Sequence, residues 1–263
     1  MSRLFVFGDT HGEEYDSKKI TTKEWPESKE LTKADVCIQL GDFGWVWDIL
    51  YTNKEQENYL DQLAGRRWTC AVLPGNHDNY DIIESLPMIE KWGGKVRVLK
   101  REATRDPINR GNPTKNRYNP GEIYFLERGE IYTINGKTLW VMGGALSIDR
   151  DTRTMGITHW ERELPSYKEM NYGMDNLDKV DWKVDYVLTH TCPVSIMVSL
   201  LKIPYKSDIK YKDPTSEYLQ EVLKNNIEFK GWHFGHFHKD VKSDFEQGGV
   251  FACHYRNTPF ELK

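Results

Sequence analysis

Cys70-Ala71-Val72-Leu73-Pro74-Gly75-Asn76-His77-Asp78 is the stretch from which the fold can be read. Its first four residues are apolar, as suits a short buried strand, and Pro74-Gly75 stops that strand and turns the chain. Three polar side chains are thereby delivered together at a strand's carboxyl end, the edge at which open α/β sheets bind ligands. Asn76 offers a neutral oxygen to a metal. His77 can exchange a proton near neutral pH, and Asp78 can hold that imidazole in one orientation.

Four further strand ends, moving outward in both directions, carry residues of the same kind. The apolar run 4–7 stops at Gly8-Asp9-Thr10-His11-Gly12, and the run 36–40 at Gly41-Asp42. The run 185–188 stops at Thr189-His190, and the run 229–234 at Gly235-His236-Phe237-His238. Residues 54–66 carry Tyr59, Leu60 and Leu63 on one helical face, so the first third reads strand, helix, strand and predicts a parallel sheet. A weaker helix is expected within 13–33, interrupted by Pro26, and another over Ile82, Ile83, Leu86 and Ile89, before a strand at 96–99. Strands follow at 123–126, 130–134 and 138–142. Asn135-Gly136 marks a hairpin between the last two, so this second half of the sheet set is expected to be antiparallel. Residues 151–182 read as partly helical, 214–225 as an amphipathic helix, and 241–245 with 249–253 as a closing hairpin.

The segment 100–122 breaks this pattern. It is rich in Pro, Gly and Asn, and over 100–118 six basic residues against two acidic ones leave a net +4. It reads as an exposed loop inserted in one domain spanning 1–263, either solvated or a basic flap over an anionic substrate.

At 263 residues, 38% hydrophobic and 29% charged, the chain can bury a core without staples. A net charge of −4 speaks against a dominant nucleic-acid or membrane patch. No apolar run nears the roughly 20 residues needed to span a bilayer, and the apolar run at the N-terminus is too short for a signal-peptide core. The four cysteines, Cys37, Cys70, Cys192 and Cys253, form no C-x-x-C pair and are expected to be reduced thiols in a cytoplasmic protein.

Strand ends of one sheet converge, so the polar residues can share a pocket. Carboxylate, amide and imidazole donors suit Mn, Fe, Co, Ni or Zn, and no cysteine stands at any of the five stops to suggest a structural thiolate site. Two ions about 3.5–4 Å apart need a bridging carboxylate, and Asp42, alone at its stop, is the natural bridge. Asp9 with His11, and His236 with His238, are two apart, which on an extended end would point each pair the same way.

With these residues the chain resembles the calcineurin-like metallophosphoesterases, whose five motif blocks are matched from residue 8 to residue 238. The resemblance implies a four-layer α/β/β/α sandwich of two mixed sheets. It also implies two divalent ions, manganese first among them, and phosphate mono- or diester hydrolysis by a hydroxide bridging the ions. One ion would take Asp9, His11, Asp42 and His238, the other Asp42, Asn76, His190 and His236. His77 would face the leaving group and Asp78 would orient it. Where the protein-phosphatase branch continues with Asp-Arg-Gly, this chain has Phe43-Gly44-Trp45 and lacks that branch's phosphate-binding arginine. Small molecules or nucleotides are the expected substrates. A nuclease acting on nucleic-acid ends and a non-catalytic scaffold are the alternatives. His159, His233 and His254 match no block, and His233, inside an apolar strand, is expected to be buried. The tryptophans are expected in core and rim, with Trp45 and Trp47 as an option for walling the pocket.

Overall fold

The computed structural model describes residues 2–47, 54–102, 104–105, 116–204, 212–244 and 249–263. The chain begins β1 (Leu4–Phe7), α1 (Glu14–Ser17), β2 (Val36–Gln39), α2 (Lys54–Ala64), β3 (Thr69–Val72) and α3 (Tyr80–Ser85). It continues with β4 (Met88–Lys91), β5 (Gly94–Arg101), β6 (Thr104–Arg105), β7 (Asn116–Tyr118), β8 (Gly121–Leu126), β9 (Ile131–Ile134) and β10 (Lys137–Met142). It closes with α4 (Tyr167–Asp178), β11 (Tyr186–Thr189), α5 (Val194–Ser199), α6 (Pro214–Lys224), β12 (Gly231–Phe234), β13 (Val241–Asp244), β14 (Val250–Cys253) and β15 (Phe260–Glu261).

Two mixed sheets result, ordered β15-β1-β2-β3-β8-β5-β4 and β13-β14-β12-β11-β10-β9. In the first, β1, β2, β3 and β8 are parallel; in the second, β10, β11, β12 and β14 are. The period of two along each strand decides what each face meets. Leu4, Val6, Val36 and Ile38 pack with Leu139, Val141, Tyr186 and Leu188, so the sheets lie face to face. The alternate residues Phe5, Phe7, Cys37 and Val72 pack under Leu60 and Leu63 of α2 and Ile82 and Ile83 of α3. Trp140, Val187, Trp232 and Phe251 pack under Leu177 of α4 and Leu219 and Val222 of α6. The layers are therefore helix, sheet, sheet, helix, as expected. Strands covered on both faces must be apolar throughout, which is why the central ones read as runs rather than alternations. Each fully buried aliphatic in them contributes about 1.5–3 kcal/mol.

Several expectations need correction. Of the later strands, β9–β10, β13–β14 and β15–β1 pair antiparallel, whereas β10, β11, β12 and β14 run parallel. The Asn135-Gly136 turn, with both residues at positive φ, does close the first of these antiparallel pairs. Helices intervene between β10, β11 and β12, however, and a helical crossover returns the chain in parallel. The helix carrying Ile82 and Ile83 ends at Ser85, before Pro87. Ile89 lies on β4, paired with Val96 and partly exposed. Within 13–33 there is one α-turn and two short 3₁₀ segments, Lys18–Ile20 and Pro26–Lys29.

The segment 100–122 is not wholly a loop. Lys100 and Arg101 complete β5, β6 pairs with β7, and β8 begins at Gly121. Arg101 turns its guanidinium to Glu57 and Asp61 of α2 (2.6 Å to the latter), and so does not serve as a flap over an anion. Residues 103 and 106–115 lie outside the described residues. Trp45 is buried and stacked on Tyr59 at 3.8 Å, so it belongs to the core, and Trp47 packs edge-on against Trp160. His233 is buried, 2.9 Å from His254. All four cysteines are buried and free. No helix among the described residues is long and apolar enough to cross a membrane.

Candidate metal centre

β1, β2, β3, β11 and β12 all point their carboxyl ends to one edge of the two sheets. There Asp9, Asp42, Asn76, His190 and His236 emerge, and all but half-buried His236 are almost fully buried. The backbone is shaped to let them meet. A Cβ at Gly75 would lie 2.3 Å from an Asp42 carboxylate oxygen, and one at Gly235 would lie 2.2 Å from Asp9 Oδ1. Only glycine leaves room for those carboxylates.

The donor atoms fall into two groups. Those of Asp9, His11 and His238 lie within 4.8 Å of one another, as do those of Asp42, His190 and His236. Asp42 faces both groups: its Oδ2 is 3.4 Å from His11 Nε2 and its Oδ1 is 3.2 Å from His190 Nε2. Asn76 joins the second group, with Oδ1 2.9 Å from His190 Nε2. His236 and His238 do not point the same way, because the chain there is not extended. Both have positive φ, as do His11 and Asp42, and the two imidazoles turn to different groups.

Supporting contacts orient these donors. Leu40 O lies 2.7 Å from His190 Nδ1, which places the proton there and leaves Nε2 free to coordinate. Asp16 of α1 lies 3.3 Å from His11 Nδ1 and also accepts from the Tyr255 hydroxyl, while His238 stacks on the Tyr255 ring at 4.4 Å. The His236 backbone N–H donates to both Asp9 carboxylate oxygens. Asn76 Nδ2 donates to Ser147 Oγ at 2.9 Å. Ser147 in turn donates from its hydroxyl (2.6 Å) and its backbone N–H (3.0 Å) to buried Glu163, whose Oε2 is 3.0 Å from His159 Nδ1. Since the amide nitrogen is committed to Ser147, the Asn76 oxygen is the atom turned to His190.

Asp78, expected to orient His77, does something else. Its carboxylate accepts the backbone N–H groups of Gly75 (2.7 Å), Gly44 (2.8 Å) and Phe43 (3.2 Å), which ties the third motif turn to the second. The His77 ring instead has Arg153 beside it, Nη2 to Nε2 3.5 Å, and Asp149 holds that guanidinium through two contacts of 2.8 Å. The His77 backbone N–H donates to Asp42 Oδ1 at 2.8 Å.

The electrostatics match a site built around positive charge. Burial pushes the Asp9 carboxyl up to about 7. Burial alone would raise Asp42 too, but the His190 and His11 imidazoles hold it well below the carboxylate range. Burial disfavours charge on His11 and His190, yet the Asp42 carboxylate beside them lifts both to about 9. His236 is pushed down to about 3 by burial and by His190, and His77 is also lowered, by burial first. Clustered donors of this kind are eased either by protons or by divalent cations held between them. The donors are carboxylate, amide and imidazole with no thiolate, a set that fits divalent metals.

Asp16, Ser147, Arg153, Glu163 and Tyr255 lie outside every motif block. Of these only Glu163 left a local trace, four residues after His159.

A sequence model described as calcineurin-like phosphoesterase matches residues 2–240. No curated protein matches the chain. Among solved structures, the phosphopantetheinyl hydrolase of Mycobacterium tuberculosis is similar, with a TM-score of 0.45 and 12% identity over 99% of this chain and 95% of that one. The family match runs through all five motif-bearing strand ends, and the chain belongs to the calcineurin-like phosphoesterases: it is a metal-dependent phosphoester hydrolase.

Proposed function

We propose that this chain hydrolyses phosphate mono- or diesters of small molecules, nucleotides included, with two divalent ions. The observation that carries this reading is the placement of Asp42, one carboxylate oxygen toward each donor group. Asp9, His11 and His238 would hold one ion and Asn76, His190 and His236 the other, with Asp42 reaching both. When bound, such ions supply a water acidic enough to ionise near neutral pH and positive charge for the phosphate oxygens.

The remaining residues complete the chemistry. His77 sits where it can hydrogen-bond the ester oxygen, which takes a proton as its bond to phosphorus breaks; such help is typically worth about 10²–10⁴ in rate. Arg153, fixed by Asp149, adds a cation beside His77 for a phosphate oxygen. It stands in for the arginine that the Phe43-Gly44-Trp45 segment lacks. Asp78 keeps the turns bearing Asp42 and His77 in register. Four buried free thiols fit a cytoplasmic setting.

Loading the chain with Mn²⁺ and offering p-nitrophenyl phosphate and bis-p-nitrophenyl phosphate tests the reading. Metal-dependent turnover of either is expected, and the preferred ester assigns the mono- or diesterase class. Two bound ions without turnover of either ester would favour the scaffold and overturn the proposal.

A further inference from the structure

We infer that the alcohol half of the substrate is uncharged and predominantly apolar, an alkyl or aryl group rather than a second phosphate or a sugar. This rests on the phosphoesterase reading of the metal centre and narrows it.

A cleft of about 540 Å³ opens directly from Asp42, Asn76, His77, His236 and His238. A phosphate held there can place its ester group in the cleft. The volume lies within the range of about 300–1,000 Å³ typical of sites that enclose a small organic ligand.

The cleft's wall is apolar and comes from separate parts of the chain. Leu146 and Ile148 follow β10, Val194 and Met197 stand three residues apart on α5, and Ile203 returns after it, its N–H bonded to Met197 O. Phe237 lies between two metal-donor histidines with its ring 4.8 Å from that of His236, so the apolar surface begins at the metal centre itself. Ile148 is 70% exposed and lines the cleft, a large aliphatic that the fold alone does not cover.

The polar groups that line the cleft beyond the metal centre already have partners. Asp149 is bound by Arg153, and Asp213 accepts from the Thr215 N–H and the Ser216 hydroxyl. The Thr191 hydroxyl donates to Ser216 Oγ at 2.9 Å, since the Ser216 hydrogen goes to Asp213. A second phosphate would meet no lysine or arginine among the described lining residues, and a sugar's hydroxyls would lie against a mainly apolar wall. An aliphatic chain or an aromatic ring needs no polar partner and gains burial.

Alkylphosphonates isolate this effect, since the head group is constant and no bond to phosphorus is cleaved. Binding of methyl-, propyl- and hexylphosphonate to the Mn²⁺-loaded chain is measured by calorimetry. Affinity is expected to rise about twofold per methylene, roughly 30-fold from methyl to hexyl, for a chain half-buried against the wall. Ile148→Asn and Met197→Gln, at partly exposed positions, are expected to reduce the hexyl-to-methyl ratio several-fold. Methylphosphonate binding with a flat or falling series would overturn this inference and leave the phosphoesterase reading standing. A rising series whose ratio both variants leave unchanged would also overturn it, because the chain would then lie elsewhere. If no phosphonate binds and no ester is hydrolysed, both readings fall together.

Discussion

Ser147 joins Asn76 to Glu163, and replacing it by alanine isolates what that support is worth. The backbone N–H of residue 147 still donates to Glu163 in the variant, so the loop stays anchored. Two contacts disappear. One is the 2.6 Å hydroxyl bond to the buried Glu163 carboxylate, a charge-assisted contact of about 1.5–3 kcal/mol. The other is the acceptor for Asn76 Nδ2, a donor on a residue only 2% exposed. Leaving such a donor unpaired costs about 1–3 kcal/mol, of which some relaxation recovers a part. A net destabilisation of about 2–4 kcal/mol is therefore expected in urea unfolding with chelator present. With its amide free to turn, Asn76 no longer presents oxygen alone. Loss of one orienting contact behind a metal ligand commonly lowers affinity about 10–100-fold. A Mn²⁺ titration should show this loss in one of two binding steps, the other staying near the parent value. A stability change under about 0.5 kcal/mol together with two unaltered steps would refute the reasoning, because Asn76 would then hold its orientation unaided.

Three other outcomes are expected. His77→Ala should retain both ions by elemental analysis yet lose about 10²–10⁴ in turnover of p-nitrophenyl phosphate, and parental turnover would remove His77 from the chemistry. Asp42→Asn should lose bound ions together with activity, since the amide keeps a single neutral oxygen where the carboxylate turns one oxygen to each group; two ions per chain in that variant would contradict the bridging place. Glu169 gives a pH signature away from the metal centre. Burial would raise its carboxyl, but the Arg162 guanidinium and the Ser166 cap bring it down to about 2, from an ordinary value of 4.5. A group depressed on folding contributes stability that is fully present above the unfolded value and is lost as pH falls toward the folded one. Glu169→Gln should thus lower the urea midpoint most at pH 6–7 and progressively less below about pH 4.5. A difference from the parent that does not vary with pH would show that the ion pair adds nothing.

The layer structure was legible where a local pattern reports a covered face. The apolar runs at β1, β2, β3, β11 and β12 are double-faced strands, and a glycine after β1, β2, β3 and β12, with Thr189 closing β11, marks where the chain leaves the sheet. Ile89 misled because its spacing from Ile82 and Leu86 imitates a helix, whereas Pro87 denies the helix a further turn. The parallel character of β10 to β12 was hidden because it depends on the crossovers, which the hairpin signal at Asn135-Gly136 says nothing about. Asp78 misled for a different reason. Its neighbour in sequence is His77, but backbone N–H groups from the turn after β2 lie within its reach and take its carboxylate.

The sequence by itself determined which side chains gather at one sheet edge: Asp9, His11, Asp42, Asn76, His77, His190, His236 and His238 each follow a strand whose length and apolar character are local properties. Residue types and spacing did not give their division into two groups, which only the family resemblance implied, because the division turns on positive φ at His11, Asp42, His236 and His238, a conformation that nothing in those residue types announces. Tertiary structure alone brought Asp16, Ser147, Glu163 and Arg153 behind the donors, and the apolar cleft beside them. Those residues come from segments with no periodic pattern. The contacts of Ser147 with Asn76 and of Arg153 with His77 span 71 and 76 residues, distances that no local pattern closes.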